Sequence, residues 1–187
     1  MKNPLWMEPL ARSLDNTKTK PESRFFQLAT VDTEGLPQCR TLVFRGFSDH
    51  QHVQFITDTR SEKWEALVTN PKVAVCWYFA ETREQYRMNG TAHIGKGDQQ
   101  QTVLMWKNLS NAGKKQFLWG APMQPRKSDY ILDVELEDIP ELPPSHFVVI
   151  NIEVESVDFL TLRGDPQTRI LYTQSTDGNW QSKNIIP

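Results

Sequence analysis

Between Arg24 and Ile94 the sequence is a succession of short runs rich in β-branched and aromatic residues, separated by turn signals, and that pattern calls for antiparallel sheet. Phe25, Leu28, Ala29 and Val31 lead to Asp32-Thr33-Glu34-Gly35, and PQCRTLVFRGF follows, so two strands joined by a short loop are expected. An Asp49-His50-Gln51 turn leads into a third strand, HVQFIT. Thr59-Arg60-Ser61-Glu62 fits a capping box with Thr59 as N-cap, and the helix it opens should end at Asn70 because Pro71 disfavours helical geometry before it. KVAVCWYF is a fourth strand. The next run, EQYRMNGTAHIG, has two readings: a hairpin turning at Asn89-Gly90, or one long strand with a glycine bulge.

The flanks carry less regular signals. Residues 4–19 read as an amphipathic helix closed by the polar stretch DNTKTKPES. Residues 98–118 read as two short helices broken near Asn111 and Gly113, and the proline-rich segment from Trp119 to Pro144 reads as extended or looped, with a helical turn or two in YILDVELEDI. HFVVINIEVESVDFLTLRG suits one long strand or two kinked ones; RILYTQS, a Thr176-Asp177-Gly178 turn and NWQSKNIIP complete a hairpin. With no repeats and no linker, residues 1–187 read as a single mainly β domain with a few helices, in a closed or split barrel.

Composition excludes several function classes. A formal net charge of -2 argues against a nucleic-acid partner, and no apolar run approaches the roughly 18 residues a membrane helix needs, so a cytoplasmic protein is expected. Cys39 and Cys76 sit in apolar strand-like runs and are expected to be small buried hydrophobes. The four histidines (His50, His52, His93, His146) show no metal spacing, so no metal site is expected, and His93 reads as a surface or hydrogen-bonded residue. There is no GxSxG, P-loop or GxGxxG. Trp64, Trp77, Trp106 and Trp119 read as core or interface residues.

Strand alternation places Arg40, Leu42 and Phe44 on one face and Thr41, Val43 and Arg45 on the other. Asp58 to Lys63 lies where a strand gives way to a helix, and the free backbone N–H groups of such a junction favour an anion. Lys63 in the first helical turn opposes the helix dipole unless a phosphate is present. Gln85, Arg87, Asn89, Thr91 and His93 make a polar row with a period of two, which is either a solvated sheet face or a binding face. Basic and hydrogen-bonding side chains around a helix start suit a phosphate attached to a flat ring, and hence a nucleotide-like cofactor.

The series Arg40-Thr41-Leu42-Val43-Phe44-Arg45, Phe55-Ile56-Thr57 with Ser61 and Lys63, Asn70-Pro71, and Gln85-Tyr86-Arg87 with Gly90 resembles the FMN-binding half of the pyridoxamine 5′-phosphate oxidase-like split-barrel flavoproteins. DFLTLRG, Arg169-Ile170-Leu171-Tyr172 and the closing DGNW…IIP are similar to that family's C-terminal hairpin. The resemblance implies a six-stranded antiparallel split β-barrel that forms a homodimer with FMN between subunits. Arg40 and Lys63 would hold the phosphate with Thr57 or Ser61. Thr41, Leu42, Val43, Arg45 and Ile56 would lie along the cofactor, Gln85 would hydrogen-bond the flavin, and Arg169 would reach it from the second subunit. The Asn89-Gly90 segment then becomes one bulged strand.

The sequence departs from the oxidases' pattern at substrate positions. Glu62 stands where they carry a basic residue, Leu160 where they place a tryptophan against the flavin, and Asp165 and Gln167 where an arginine and a histidine meet the pyridoxal ring. The expected function is therefore an FMN-dependent oxidoreductase acting on an unidentified small molecule. The alternatives are a non-catalytic FMN-binding or sensing protein, and a haem-handling barrel using His93 or His146.

Overall fold

The computed structural model describes residues 3–94, 99–125 and 134–187. After α1 (Met7–Asn16) and a short 3-10 turn come β1 (Phe25–Val31), β2 (Pro37–Val43), β3 (Gly46–Phe47) and β4 (Val53–Asp58). Then follow α2 (Glu62–Thr69), β5 (Lys72–Phe79), β6 (Glu84–His93), α3 (Gln99–Lys107), α4 (Asn111–Lys115), β7 (Phe147–Thr161), β8 (Thr168–Gln174) and β9 (Trp180–Ile185). All ladders are antiparallel, in the order β2-β1-β5-β6-β7-β4-β3, with β8 and β9 branching from β7. The sheet has nine strands rather than six, because the chain turns after Val43 to leave β3 as a separate two-residue strand and because the β8–β9 hairpin extends it.

The long strand β7 makes the barrel split. Along one edge it pairs with β6 almost throughout; along the other, Phe147–Ile152 pair with β4 and Ser156–Thr161 pair with β8. The barrel is drawn closed beyond β2, where the Arg45 N–H donates to the Gln54 carbonyl of β4 at 2.9 Å. Phe26, Leu28, Phe55, Trp77, Tyr86 and Ile150 fill the interior. The first residues of β7 are apolar on both faces for a separate reason: Phe147 and Val149 point outward into a second cluster with Trp106, Leu109 and Phe117 from the α3–α4 region. That double burial explains the unbroken FVVI run.

Several expectations need correction. Ser61, not Thr59, is the N-cap of α2, and it makes no side-chain capping bond. Its hydroxyl donates instead to the Asp58 carbonyl at 2.7 Å. The α3–α4 break falls at Asn108–Ser110, where Ser110 Oγ accepts from the Gly113 N–H and caps α4, so Asn111 and Gly113 lie inside that helix. Cys39 is exposed and Cys76 half-buried, because both occupy the outer phase of their strands while Leu28, Val75 and Trp77 take the inner one. Trp77 and Trp106 are fully buried, whereas Trp64 and Trp119 are only partly so. Part of YILDVELEDI lies outside the described residues; Leu136–Asp138 form a 3-10 turn.

Residues 84–93 form one strand with a bulge at Asn89/Gly90, not a hairpin. A Cβ on Gly90 would stand 2.2 Å from the Glu153 carbonyl oxygen and 3.1 Å from Ile152 Cγ2, so only glycine lets β6 cross β7 this closely. Gly90→Val should destabilise the fold by about 1–3 kcal/mol, read as a lower urea midpoint, through this overpacking. An unchanged midpoint would show that the two strands can separate locally without cost.

Candidate cofactor site

The junction from β4 to α2 concentrates cationic and hydroxyl groups. Thr57 and Ser61 are buried with their hydroxyls 3.4 Å apart, and Lys63 Nζ donates to Ser61 Oγ at 3.1 Å. Arg40, on β2, donates through Nη1 to Thr30 Oγ1 at 2.7 Å and to the Leu28 carbonyl at 3.3 Å. Burial pushes the Lys63 ammonium below its ordinary value and the neighbouring Arg40 pushes it the same way, partly offset by Asp58 and Glu62. Burial lowers Arg40 too. Asp58 does not neutralise the pair, because its carboxylate is bound by the Arg60 guanidinium at 2.6 Å and by the Arg60 N–H at 2.7 Å.

Two like charges are thus packed together at a helix start, and neither makes an ion pair among the described residues. Their repulsion and desolvation are relieved by a dianion, which the free N–H groups of the first α2 turn also favour. A phosphate monoester fits this donor set, and Arg40, Lys63, Thr57 and Ser61 are the residues that would hold it.

A second group lies on the outer face of the sheet. Gln85 of β6 faces Leu160 of β7, and Leu160 faces Arg169 of β8. Arg169 is fixed by a two-point ion pair with Asp158, at 2.9 and 2.7 Å, and Arg87 approaches the same carboxylate at 3.5 Å. These bonds raise Arg169 above its ordinary value and hold Asp158 ionised below its own, the Arg169 hydrogen bond being the main cause in both groups. Gln85 Oε1 accepts a weak bond from the Cys76 thiol at 3.9 Å, and burial raises that thiol.

The remaining expected residues are spread between these groups. Thr41 is exposed opposite Gln27, while Leu42 and Val43 are half-buried. Leu42 packs on the barrel core, whereas Ile56 packs on the outer cluster beneath α3. Arg45 lies apart from Arg40 and Lys63, on the wall of a cavity of about 610 Å³ shared with Arg24, Gln54 and the α3 residues Gln101 and Met105. Its buried Nε has no acceptor among the described residues. Sequence reasoning did not find Arg24 or the Asp158–Arg169 pair, although Asp158 in the alternating run ESVDFLT was a visible charged break.

Arg40→Met and Lys63→Met should each weaken FMN binding by about 1.5–3 kcal/mol, roughly ten- to a hundredfold, while barely changing riboflavin binding. Fluorescence titration checks this, and equal losses for both flavins would remove the phosphate assignment. Because the Lys63 pKa is depressed without ligand, rising pH discharges it earlier than an ordinary lysine. FMN affinity should therefore decline on the alkaline side below the usual lysine range, and Lys63→Arg should abolish that decline.

Comparison with known proteins places the chain in a family of flavoproteins. A family model described as the FMN-binding domain of pyridoxamine 5′-phosphate oxidase matches residues 3–96. Pyridoxine/pyridoxamine 5′-phosphate oxidase 2 of Arabidopsis thaliana is 30% identical over 193 residues, covering 97% of this chain and 96% of that protein. The crystal structure of a pyridoxamine 5′-phosphate oxidase-related, FMN-binding protein from Nostoc punctiforme is 37% identical and superposes with a TM-score of 0.89 over 100% of both chains. PhzG from Burkholderia lata, solved with tetrahydrophenazine-1-carboxylic acid, has the same fold at 19% identity, with a TM-score of 0.85 over 99% of this chain and 94% of that one. This split barrel, carrying that FMN-binding domain, belongs to the pyridoxamine 5′-phosphate oxidase-like family of flavoproteins.

Proposed function

We propose that the protein is an FMN-dependent oxidoreductase, built as a homodimer, that acts on a small anionic molecule. The observation that carries the substrate class is Arg45. It follows directly on the strand that bears Arg40, lines the 610 Å³ cavity beside Arg24, and keeps a buried Nε without an acceptor among the described residues. A buried, unpaired guanidinium donor costs free energy unless a ligand supplies an acceptor. Bound FMN would supply the redox chemistry by accepting or giving a hydride or electron pair. Arg40 and Lys63 anchor its phosphate, Gln85 offers an amide to the ring, and Arg45 orients an anionic substrate group. Phe47, Leu104 and Met105 give the cavity an apolar side beside the two arginines.

The dimer reading rests on sheet geometry. Arg40 sits beside the β4–α2 junction, where Thr57 faces Val148 near the start of β7, whereas Arg169 faces Leu160, twelve residues further along that strand, which is about 40 Å. Gln85 and Arg169, by contrast, flank the same Leu160 and must therefore be supplied by the same subunit. We assign the cradle of Arg40 and Lys63 to one protomer and the Gln85–Leu160–Arg169 row to its partner. The outer sheet face also leaves Phe25 and Tyr78 about 40% exposed, the kind of apolar surface a second copy would cover.

The relatives' names make pyridoxamine 5′-phosphate the reference substrate, and the site residues argue against it. Glu62 is exposed at the first position of α2, and Asp165 and Gln167 are exposed between β7 and β8, so two of the four differences from the oxidases introduce negative charge. With FMN loaded and oxygen present, turnover of pyridoxamine 5′-phosphate should stay below about 1 per second. Faster formation of pyridoxal phosphate and peroxide would identify the vitamin as the substrate. A flavin that no anionic reductant or nicotinamide donor reduces would instead favour a non-catalytic role.

The shared site has its own test. Arg40→Met and Arg169→Met chains, each weak in FMN binding, should on co-refolding give heterodimers that regain one full-affinity FMN per dimer. Both substitutions then fall in one site and leave the other intact. No recovery would place both arginines in one chain's site.

A further inference from the structure

A cluster that none of the cofactor chemistry uses lies near the middle of β7, at the split where its partner changes from β4 to β8. His52 directly precedes β4, His93 ends β6, and Glu153 lies on β7 between them. Continuing the Val53–Ile152 register by one residue brings His52 opposite Glu153, while His93, two residues beyond Thr91, is diagonal to it. One donor atom from each of the three lies within 4.8 Å of the others. His93 Nε2 is 2.7 Å from a Glu153 carboxylate oxygen, and the His52 and His93 rings stack at 5.2 Å, 12° from parallel.

We propose that His52, His93 and Glu153 bind a divalent transition-metal ion, with Zn²⁺ the ion their donor chemistry suits best. Two imidazoles and one carboxylate are the donor set of three-ligand zinc sites that keep a fourth position open. Ligand atoms at about 2.0–2.1 Å from a tetrahedral ion are roughly 3.3 Å apart, so only small side-chain rotations close the present spacing. The strands that supply the donors are locked together by the β4–β7 and β6–β7 ladders, which fixes the donor positions before any ion arrives.

A second observation points to a ligand here. The three residues border a cavity of about 520 Å³ whose wall also includes Trp6, Gln174 and Asn179. Trp6 is 1% exposed, and its indole N–H has no acceptor among the described residues. A water or small anion on the open metal position would bring an acceptor into that cavity. His50, whose ring lies 6.0 Å from that of His52, stands close by as a further nitrogen donor. The site is separate from the FMN cradle: Thr57 lies five residues further along β4, about 17 Å away, and Gln85 lies eight residues from His93 on β6, about 26 Å away.

Sequence spacing could not reveal this site, because its ligands come from three segments and meet only through strand register. The test uses tag-free, FMN-loaded protein freed of metal by a chelator, titrated with Zn²⁺ against a chromophoric chelator and separately with Co²⁺. The expected result is one equivalent per chain with a dissociation constant at or below about 10 μM. The bound Co²⁺ should show d–d absorption without a thiolate charge-transfer band. His93→Ala and Glu153→Gln should each weaken binding at least about tenfold, with FMN content unchanged as the check on folding. Glu155→Gln, on the same strand but paired with Lys72, should leave binding as in the parent. Weaker binding, binding unchanged in His93→Ala and Glu153→Gln, or a thiolate band pointing to Cys39 or Cys76 would overturn the proposal.

Discussion

Strand β7 is the constraint on which the rest of the structure depends. It is fifteen residues long, and its far edge passes from β4 to β8 while its near edge holds β6. This exchange of partners splits the sheet and fixes two candidate functional regions relative to one another. The first half of β7 sets the β4–α2 junction that carries Thr57, Ser61 and Lys63. The second half sets the row Gln85–Leu160–Arg169 and holds Arg169 through Asp158. Gly90 permits the β6–β7 crossing between them, where any side chain would meet the Glu153 carbonyl.

The electrostatics of the cradle run against folding in the absence of ligand. Arg40 and Lys63 are brought together in a half-buried place; Asp58 is engaged by Arg60, and Glu62 only partly offsets the two charges. Sites that place like charges together in this way store unfavourable energy that a matching counter-ion releases. Stability of the fold and occupancy by FMN are therefore linked, and FMN that binds only the folded state raises apparent stability by mass action. Arg169 follows the opposite pattern: its charge is satisfied by Asp158, so it is a pre-oriented donor rather than a strained one.

Much of this was legible in the sequence, for identifiable reasons. Alternation in KVAVCWYF and EQYRMNGTAH separated inner from outer residues because one face of each strand is buried and the other is not. Lys63 was conspicuous because it opposes the dipole of its own helix. The apolar neighbours of Cys39 and Cys76 misled, suggesting burial although strand phase puts both thiols on the outer side. The capping-box reading also failed: it chose Thr59 for α2, where the path of the chain selects Ser61. The placing of Gln85 and Arg169 on either side of Leu160, and the meeting of His52, His93 and Glu153, depend on register between distant segments, which no local pattern encodes.

The central claim is that Arg40 and Lys63 together hold the FMN phosphate as a dianion. The most direct measurement is the ³¹P NMR shift of FMN bound to the protein, followed through the range where a free phosphate monoester titrates, near pH 6. Two adjacent cations should suppress that pKa, so the bound resonance should stay at its dianion position down to about pH 5. A bound resonance that titrates with the midpoint of free FMN would contradict the account, because the phosphate would then be in solvent rather than between the two side chains.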